Sequence, residues 1–322
     1  MPSHGLKADL ELLTLVITAG IAAYLFTDQV VSNALFTGLI SILFFLTGLQ
    51  INSKLMRKTV LKKNQILLGL ATVFIFTPAL AIVFGNIFPG FKEVILAIGF
   101  SAAAVGSTKI WSNMTNSDGE LAAKIGIISI FASAIFVPIL ILVSGLDIDL
   151  ELLFKNALIP LTALFLGVAT RGVGNSFVED LRLHFSKLSF WLIVLITGIQ
   201  TQILLEAEGF SILYTFGYAA LIFTAFSFAC FGLGYFTGRL SDLYEKEARA
   251  LGFASGSKNI AVAFLIALHI DGLAVALVGL YYFVRQISGV VIVDLMVHGE
   301  FRTLKRILLK GSSPLSKFRV NT

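Results

Sequence analysis

The sequence is divided into apolar runs of bilayer length, and that division constrains every fold it can adopt. A helix needs roughly 17 to 25 predominantly apolar residues to cross the hydrocarbon core. Ten such runs follow one another: 10–27, 31–50, 65–88, 92–116, 119–145, 153–171, 187–205, 210–238, 246–270 and 272–297. With no water in that core, each run must satisfy its backbone groups internally, which points to helices. A chain of 322 residues that is 57% hydrophobic and 13% charged, with a mean hydropathy of +0.91, is too apolar for a soluble domain of that length. The expected fold is an all-α polytopic membrane protein with ten transmembrane helices.

Charge sets the orientation. With both termini in the cytoplasm, nineteen of the 24 Lys and Arg fall inside, including Lys7, the loop Lys54–Lys63, Lys124 and the tail from Arg302 to Arg319. Only Lys92 and Lys155 fall outside, and Lys109, Lys258 and Arg285 are left within the membrane. This is a positive-inside pattern, which predicts a multi-pass protein of the cell membrane with cytoplasmic termini and an even span count. The net charge of +5 therefore serves topology, and without a recognisable motif or basic domain no nucleic-acid partner is expected. Five spans precede the loop at 147–151 and five follow it, so the second half enters the membrane in the opposite sense. An inverted repeat is predicted, with residues 1–147 as one half, 148–298 as the other and 299–322 as a basic cytoplasmic tail.

Two stretches interrupt this apolar order in corresponding places. Gly252–Ala263, GFASGSKNIAVA, places Lys258 and Asn259 deep in the ninth run, where a charge costs roughly 2.5 to 3.5 kcal/mol on insertion scales. Gly99–Trp111, GFSAAAVGSTKIW, repeats the Gly-Phe start, the Gly-Ser pair and a lysine in the fourth run. Paired breaks in the two halves of a repeat are the pattern of secondary transporters, whose half-helices form a site near the midplane. The breaks are expected near Gly106–Lys109 and near Ser255–Lys258, close to one another.

The polar residues around these breaks each admit two readings. Ser112, Asn113 and Thr115 either line a cavity or cap the cytoplasmic end of the fourth span. Ser129 and Ser133 share one helix face and either supply oxygen ligands to a hard cation or pack two helices closely. Lys258 must pair with a carboxylate, bind an anion or give up its proton. Arg285 and Gln286 look toward the interior, unless Arg285 only ties helix ends together through carbonyls. Asp294, a candidate proton or charge partner, lies nine residues after Arg285 and about 180° around the helix, so those two cannot pair along one face. The candidate substrate or ion-binding set is Lys109, Ser112, Asn113, Thr115, Ser129, Ser133, Ser255, Ser257, Lys258, Asn259, Arg285 and Gln286. Three interior cations against one acid would attract an anion. Cys230 is the only cysteine and the four histidines are scattered, so neither a disulfide within the chain nor a metal-thiolate cluster is expected.

The chain resembles the bile acid:sodium symporter superfamily, which has the arsenite efflux permeases as a sister branch. The resemblance is carried by Ser112-Asn113 with Asp118-Gly119-Glu120-Leu121, by Ser129 and Ser133 before Pro138, and by Gly256-Ser257-Lys258-Asn259. It implies crossing, unwound fourth and ninth spans in a core domain of spans 3–5 and 8–10, which moves against a panel of spans 1, 2, 6 and 7. It also implies a sodium site at Ser112, Asn113, Ser129 and Ser133, completed by residues 254–259. The departures are specific. Ala254 stands where sodium-coupled members have a glutamate, Lys258 where they have a glutamine, and Thr72 or Thr77 where their third span has a glutamine. Lysine at 258 looks more like the arsenite branch, yet the cysteine that branch needs in its fourth span is missing.

These readings converge on a secondary transporter of a small anion, with organic acids as the expected class, working by alternating access. No cofactor is expected beyond a candidate sodium ion, and the partners are the anionic substrate and membrane lipid. With Ala254 removing the neutralising carboxylate, strict sodium dependence is not expected; ion coupling is expected to involve protons at Lys258. The alternatives are a sodium-coupled organic anion symporter, an arsenite or auxin-type efflux carrier, and a non-transporting membrane scaffold. An intramembrane enzyme would need a metal-ligand or nucleophile-base cluster, and none is visible.

Overall fold

The computed structural model describes residues 33–51, 62–172 and 176–298. The first expected span, Lys7 and the basic tail lie outside the described residues. From residue 33 onward every expected run is helical. α1 is Asn33–Gln50, followed by α2 Lys63–Ala71 and α3 Thr77–Ile87, which form one continuous rod through a π-helical turn at Thr72–Phe76. Pro78 lies just after that turn and has no N–H to give the ladder, and widening the backbone by one residue absorbs the gap. Then come α4 Lys92–Phe100, α5 Val105–Met114, α6 Gly119–Ser144, α7 Leu150–Gly172 and α8 Ser176–Glu208. The last four are α9 Ile212–Leu240, α10 Glu245–Gly256, α11 Ile260–Ala267 and α12 Gly272–His298.

Among the described residues, six helices are long and apolar enough to cross a membrane, which makes the protein multi-pass. Their outer faces fit that solvent. Val143, Leu158, Leu221 and Leu67 are each more than 60% exposed, a costly surface in water and an ordinary one against acyl chains.

Packing between these helices depends on small residues, because lipid gives apolar side chains no reason to prefer protein neighbours. α1 and α7 meet at Gly48 and Gly167, so closely that a Cβ on Gly167 would lie 2.2 Å from the Phe45 carbonyl oxygen. α9 meets α10 along Gly234 and Gly238, where Cβ atoms would stand 2.6 Å from the Leu251 oxygen and 2.8 Å from the Ala248 Cα. α1 also packs on α8, while α4 packs against α3 and α11, and α5 against α6.

Both interruptions are present, and the first lies earlier than the sequence reading placed it. Gly106 to Lys109 are helical, within α5; the chain is extended at Ser101–Ala104 instead, with ψ of 153° at Ser101 and 133° at Ala104. The reason is steric. Ser101, Ala102 and Ala103 are wholly buried at the crossing, where small side chains leave room for Lys258 and its neighbours, whereas the Gly106-Ser107 pair falls in the first turn of α5. The second break lies at Ser257–Asn259 rather than from Ser255, which is still helical.

Candidate functional site

The two extended segments pair antiparallel, Ala103 opposite Lys258. Ala104 N–H donates to the Ser257 carbonyl at 2.7 Å, and Asn259 N–H donates to the Ala102 carbonyl at 2.7 Å. Unwound backbone at membrane depth is tolerated only when its groups find partners in this way. Ser129 supplies another, since its hydroxyl accepts the Ala103 N–H at 3.0 Å while donating to the Gly126 carbonyl at 2.9 Å. Asn259 caps α11, its Oδ1 accepting the N–H groups of Ala261 and Val262.

Lys258 is completely buried. Its ammonium donates to the carbonyls of Gly99 at 3.0 Å and Ser101 at 3.2 Å, where α4 ends. A helix C-terminus presents unpaired carbonyls and the negative end of its dipole, which a cation satisfies. The Lys258 carbonyl in turn accepts a hydrogen bond from Nη1 of Arg285. Among the described residues no carboxylate forms an ion pair with Lys258.

Beside this crossing lies a cavity of about 200 Å³. It is lined by the first turn of α5, the start of α11, Thr47 and Gln50 of α1, Ser189 of α8, and Arg285 and Gln286 of α12. Arg285 is 3% exposed, and its guanidinium carbon lies 5.9 Å from the Trp111 ring centre and 5.1 Å from that of Tyr282. Among the described residues no acidic side chain lines the cavity. The N-cap of α5 is Ala104, which has no side-chain oxygen to offer the first-turn amides. Two cations and an uncapped helix N-terminus give the cavity an anion-attracting field.

The candidate residues divide into groups. Lys258, Asn259, Arg285 and Gln286 all line this cavity. Ser129 faces the break, while Ser133, one turn further along α6, lines a separate apolar cavity with Phe44 and Val262. Ser255 pairs with Thr77 at 2.9 Å, and Thr77 also donates to the Thr72 carbonyl across the π-turn. Ser112 and Ser257 are buried, their hydroxyls unpartnered among the described residues. Thr115 caps α5, donating back to Trp111 and Ser112. Lys109 and Asn113 are exposed and line no part of the cavity; with the break at Ser101–Ala104, both lie in the later turns of α5. Asp294 is buried on α12 but does not line the cavity.

The sequence reading missed Gln50, Ser107, Trp111 and Tyr282 as wall residues, because nothing in a linear chain tells which spans stand opposite one another. It also missed the carbonyls of Gly99 and Ser101, since backbone groups carry no letter of their own. The run of three alanines before Val105 was the available signal.

Asp118-Gly119-Glu120-Leu121 has a structural role at the start of α6. Asp118 is the N-cap of α6, accepting the Leu121 N–H at 2.9 Å, and is ion-paired with Lys62. Lys62 also reaches Glu247 of α10 at 3.3 Å. Gly119 leaves room for Asn113, whose Oδ1 would stand 2.0 Å from any Cβ there.

A family model for the SBF-like CPA transporter family matches residues 10–299. The chain belongs to that family. Membership covers nearly the whole sequence, agrees with the resemblance to bile acid:sodium symporters, and makes the chain a member of a family of transporters. No curated protein matches the chain. Within an SBF-like transporter, the paired breaks and the cation-lined cavity beside them form the candidate transport site.

Proposed function

We propose that this SBF-like transporter carries a small organic anion by alternating access, with Lys258 occupying the place of a coupling cation. In this reading ten spans form two inverted repeats, 1–147 and 148–298, in the cell membrane with both termini cytoplasmic. The panel is spans 1, 2, 6 and 7 and the core is spans 3–5 and 8–10. Several observations support that division: α1 locks to α7 through Gly48 and Gly167, the two breaks are hydrogen-bonded into one unit, and the cavity lies where α1 and α8 face that unit.

The observation that carries the coupling claim is the ammonium of Lys258 on the Gly99 and Ser101 carbonyls. Carbonyl oxygens at a helix end are ligands for a hard cation, and here a tethered cation already holds them. A sodium ion beside it would be repelled by several kcal/mol at an effective dielectric of about 20, with no acid among the described residues of the cavity wall to offset that. Transport is therefore independent of sodium, and coupling runs through protons at Lys258. Reconstituting the wild type and Lys258→Gln and following labelled anion uptake in sodium, in potassium and under a pH gradient tests this. Uptake in the wild type under all three conditions, with Lys258→Gln acquiring a requirement for sodium, is the expected result. No flux under any condition would favour a scaffold.

A further inference from the structure

α11 is a short rod that is tied at both ends. At its start, Asn259, Ile260 and Ala261 border the crossing cavity. Its last residue is Ala267, about 12 Å on at 1.5 Å per residue, and His269 lies in the turn that follows. The His269 backbone N–H donates to the Ile266 carbonyl at 3.0 Å, and its ring Nδ1–H to the Leu265 carbonyl at 2.9 Å. Leu265 is in the last turn, where carbonyls lack intrahelical partners. A carbonyl only accepts, so this bond puts the proton of the uncharged ring on Nδ1 and leaves Nε2 as an acceptor. The amide Nδ2 of Asn156, in the second turn of α7, donates to that Nε2 at 3.0 Å.

Between the crossing and this bond, α7 and α11 share an apolar cavity of about 80 Å³, lined by Leu153, Ala157 and Leu161 of α7 together with Val262, Leu265 and Ile266 of α11. Apolar walls that face a void lose the dispersion contacts that hold packed helices together. The contact between α1 and α7 is the opposite case, backbone against backbone at Gly48 and Gly167. So α7 is locked to α1, and α11 is tied through Asn259 to the crossing. What α7 and α11 share is a cavity and, at its end, a hydrogen bond.

We propose that the Asn156–His269 hydrogen bond is a latch: it holds α7 against the end of α11, keeps the apolar cavity shut, and breaks when the panel moves against the core. This rests on the alternating-access reading. The test uses Val262→Cys, on the cavity lining, in a full-length Cys230→Ala chain that has no other thiol. A thiol reacts as its thiolate, which burial in apolar surroundings disfavours, so a water-soluble maleimide labels this position when the cavity opens to water. Asn156→Leu should speed labelling about fivefold, the population shift that one ordinary hydrogen bond supports. Asn156→His sets a second imidazole opposite His269, and two imidazoles can hold a zinc ion. Zinc at about ten times its dissociation constant should slow labelling of that protein about tenfold, a chelator should reverse this, and Asn156→Leu should be indifferent to zinc. Native Cys230, wholly buried on α9, should stay unlabelled in an Asn156→Leu chain without the reporter, which separates opening from loss of the fold; if it reacts, the zinc comparison decides. Labelling of Asn156→Leu at the wild-type rate, or zinc that binds Asn156→His without slowing it, would overturn the latch and leave the anion-transporter reading standing. The labelling needs no flux, so a chain that carries no anion loses the transporter reading and still shows whether this bond keeps the cavity shut.

Discussion

Lys258 carries a charge to the centre of an apolar segment, and its surroundings explain why that is tolerated. The ammonium is bonded to two carbonyls that α4 would otherwise leave unpaired, so one costly group satisfies two others. Lys258→Met should remove both bonds and lower stability by about 2 to 3 kcal/mol, in the range for hydrogen bonds to charged groups. Lys258→Gln, which retains a donor, should lose less. Thermal unfolding in detergent checks the order, and a Met variant as stable as wild type would mean the carbonyls find other donors. Asn259 offers an independent comparison at the same crossing. Its side chain caps α11 through two amides, and Asn259→Ala should cost about 1 kcal/mol, read by the same melt.

At the scale of elements, glycine contacts and an ion cluster at the helix ends hold the helices in register. Gly167→Val on α7 would drive a branched side chain into the α1 backbone, and Gly234→Val would do the same between α9 and α10. Each should cost at least about 1 to 3 kcal/mol by overpacking, whereas Gly198→Ala on α8, with open space around it, should hold or raise the melting temperature, since alanine is the better helix former. The ion cluster joins Lys62 before α2, Asp118 at the start of α6 and Glu247 on α10. Burial alone would raise the Asp118 carboxyl, but the Lys62 hydrogen bond and charge and the Leu121 amide outweigh it and hold the group below its ordinary value. Burial likewise opposes the charge on Lys62, and its two carboxylate partners outweigh that and raise it. The stabilisation from Asp118 is thus complete above the ordinary carboxylate range and is lost as pH falls through its depressed value. That from Lys62 is complete below the ordinary lysine value and is lost only in strong alkali. Lys62→Met should therefore lower the melting temperature near neutrality and cease to do so once acid has protonated Asp118. Melting wild type and variant across that range measures the difference, and a constant gap down to the lowest pH would assign the effect to packing.

For the whole molecule, much of the architecture was legible because bilayer thickness writes itself into run length. The runs became helices from residue 33 onward, and paired interruptions in the fourth and ninth were visible as polar and small residues inside apolar sequence. Position within the break was not. Gly106 and Ser107 looked like the interruption, but room at the crossing for Lys258 and its neighbours chose Ser101 to Ala104, a requirement that belongs to the partner segment as much as to the stretch itself. The same limit applies to the cavity. Lys258, Asn259, Arg285 and Gln286 announced themselves by polarity, while Gln50, Trp111 and Tyr282 are ordinary residues of helix ends and apolar spans until the fold sets them around Arg285. Ser112, Asn113, Ser129 and Ser133 shared a family motif, yet Asn113 is exposed and packs over Gly119, and Ser129 spends its hydroxyl on the Ala103 and Gly126 backbone. What distinguishes this chain as a transporter is the tethered ammonium at the crossing, and the most direct test is anion uptake by the reconstituted wild type with external sodium replaced by potassium at fixed pH. Lys258 in the cation's place predicts equal uptake in the two salts; uptake abolished in potassium would contradict it.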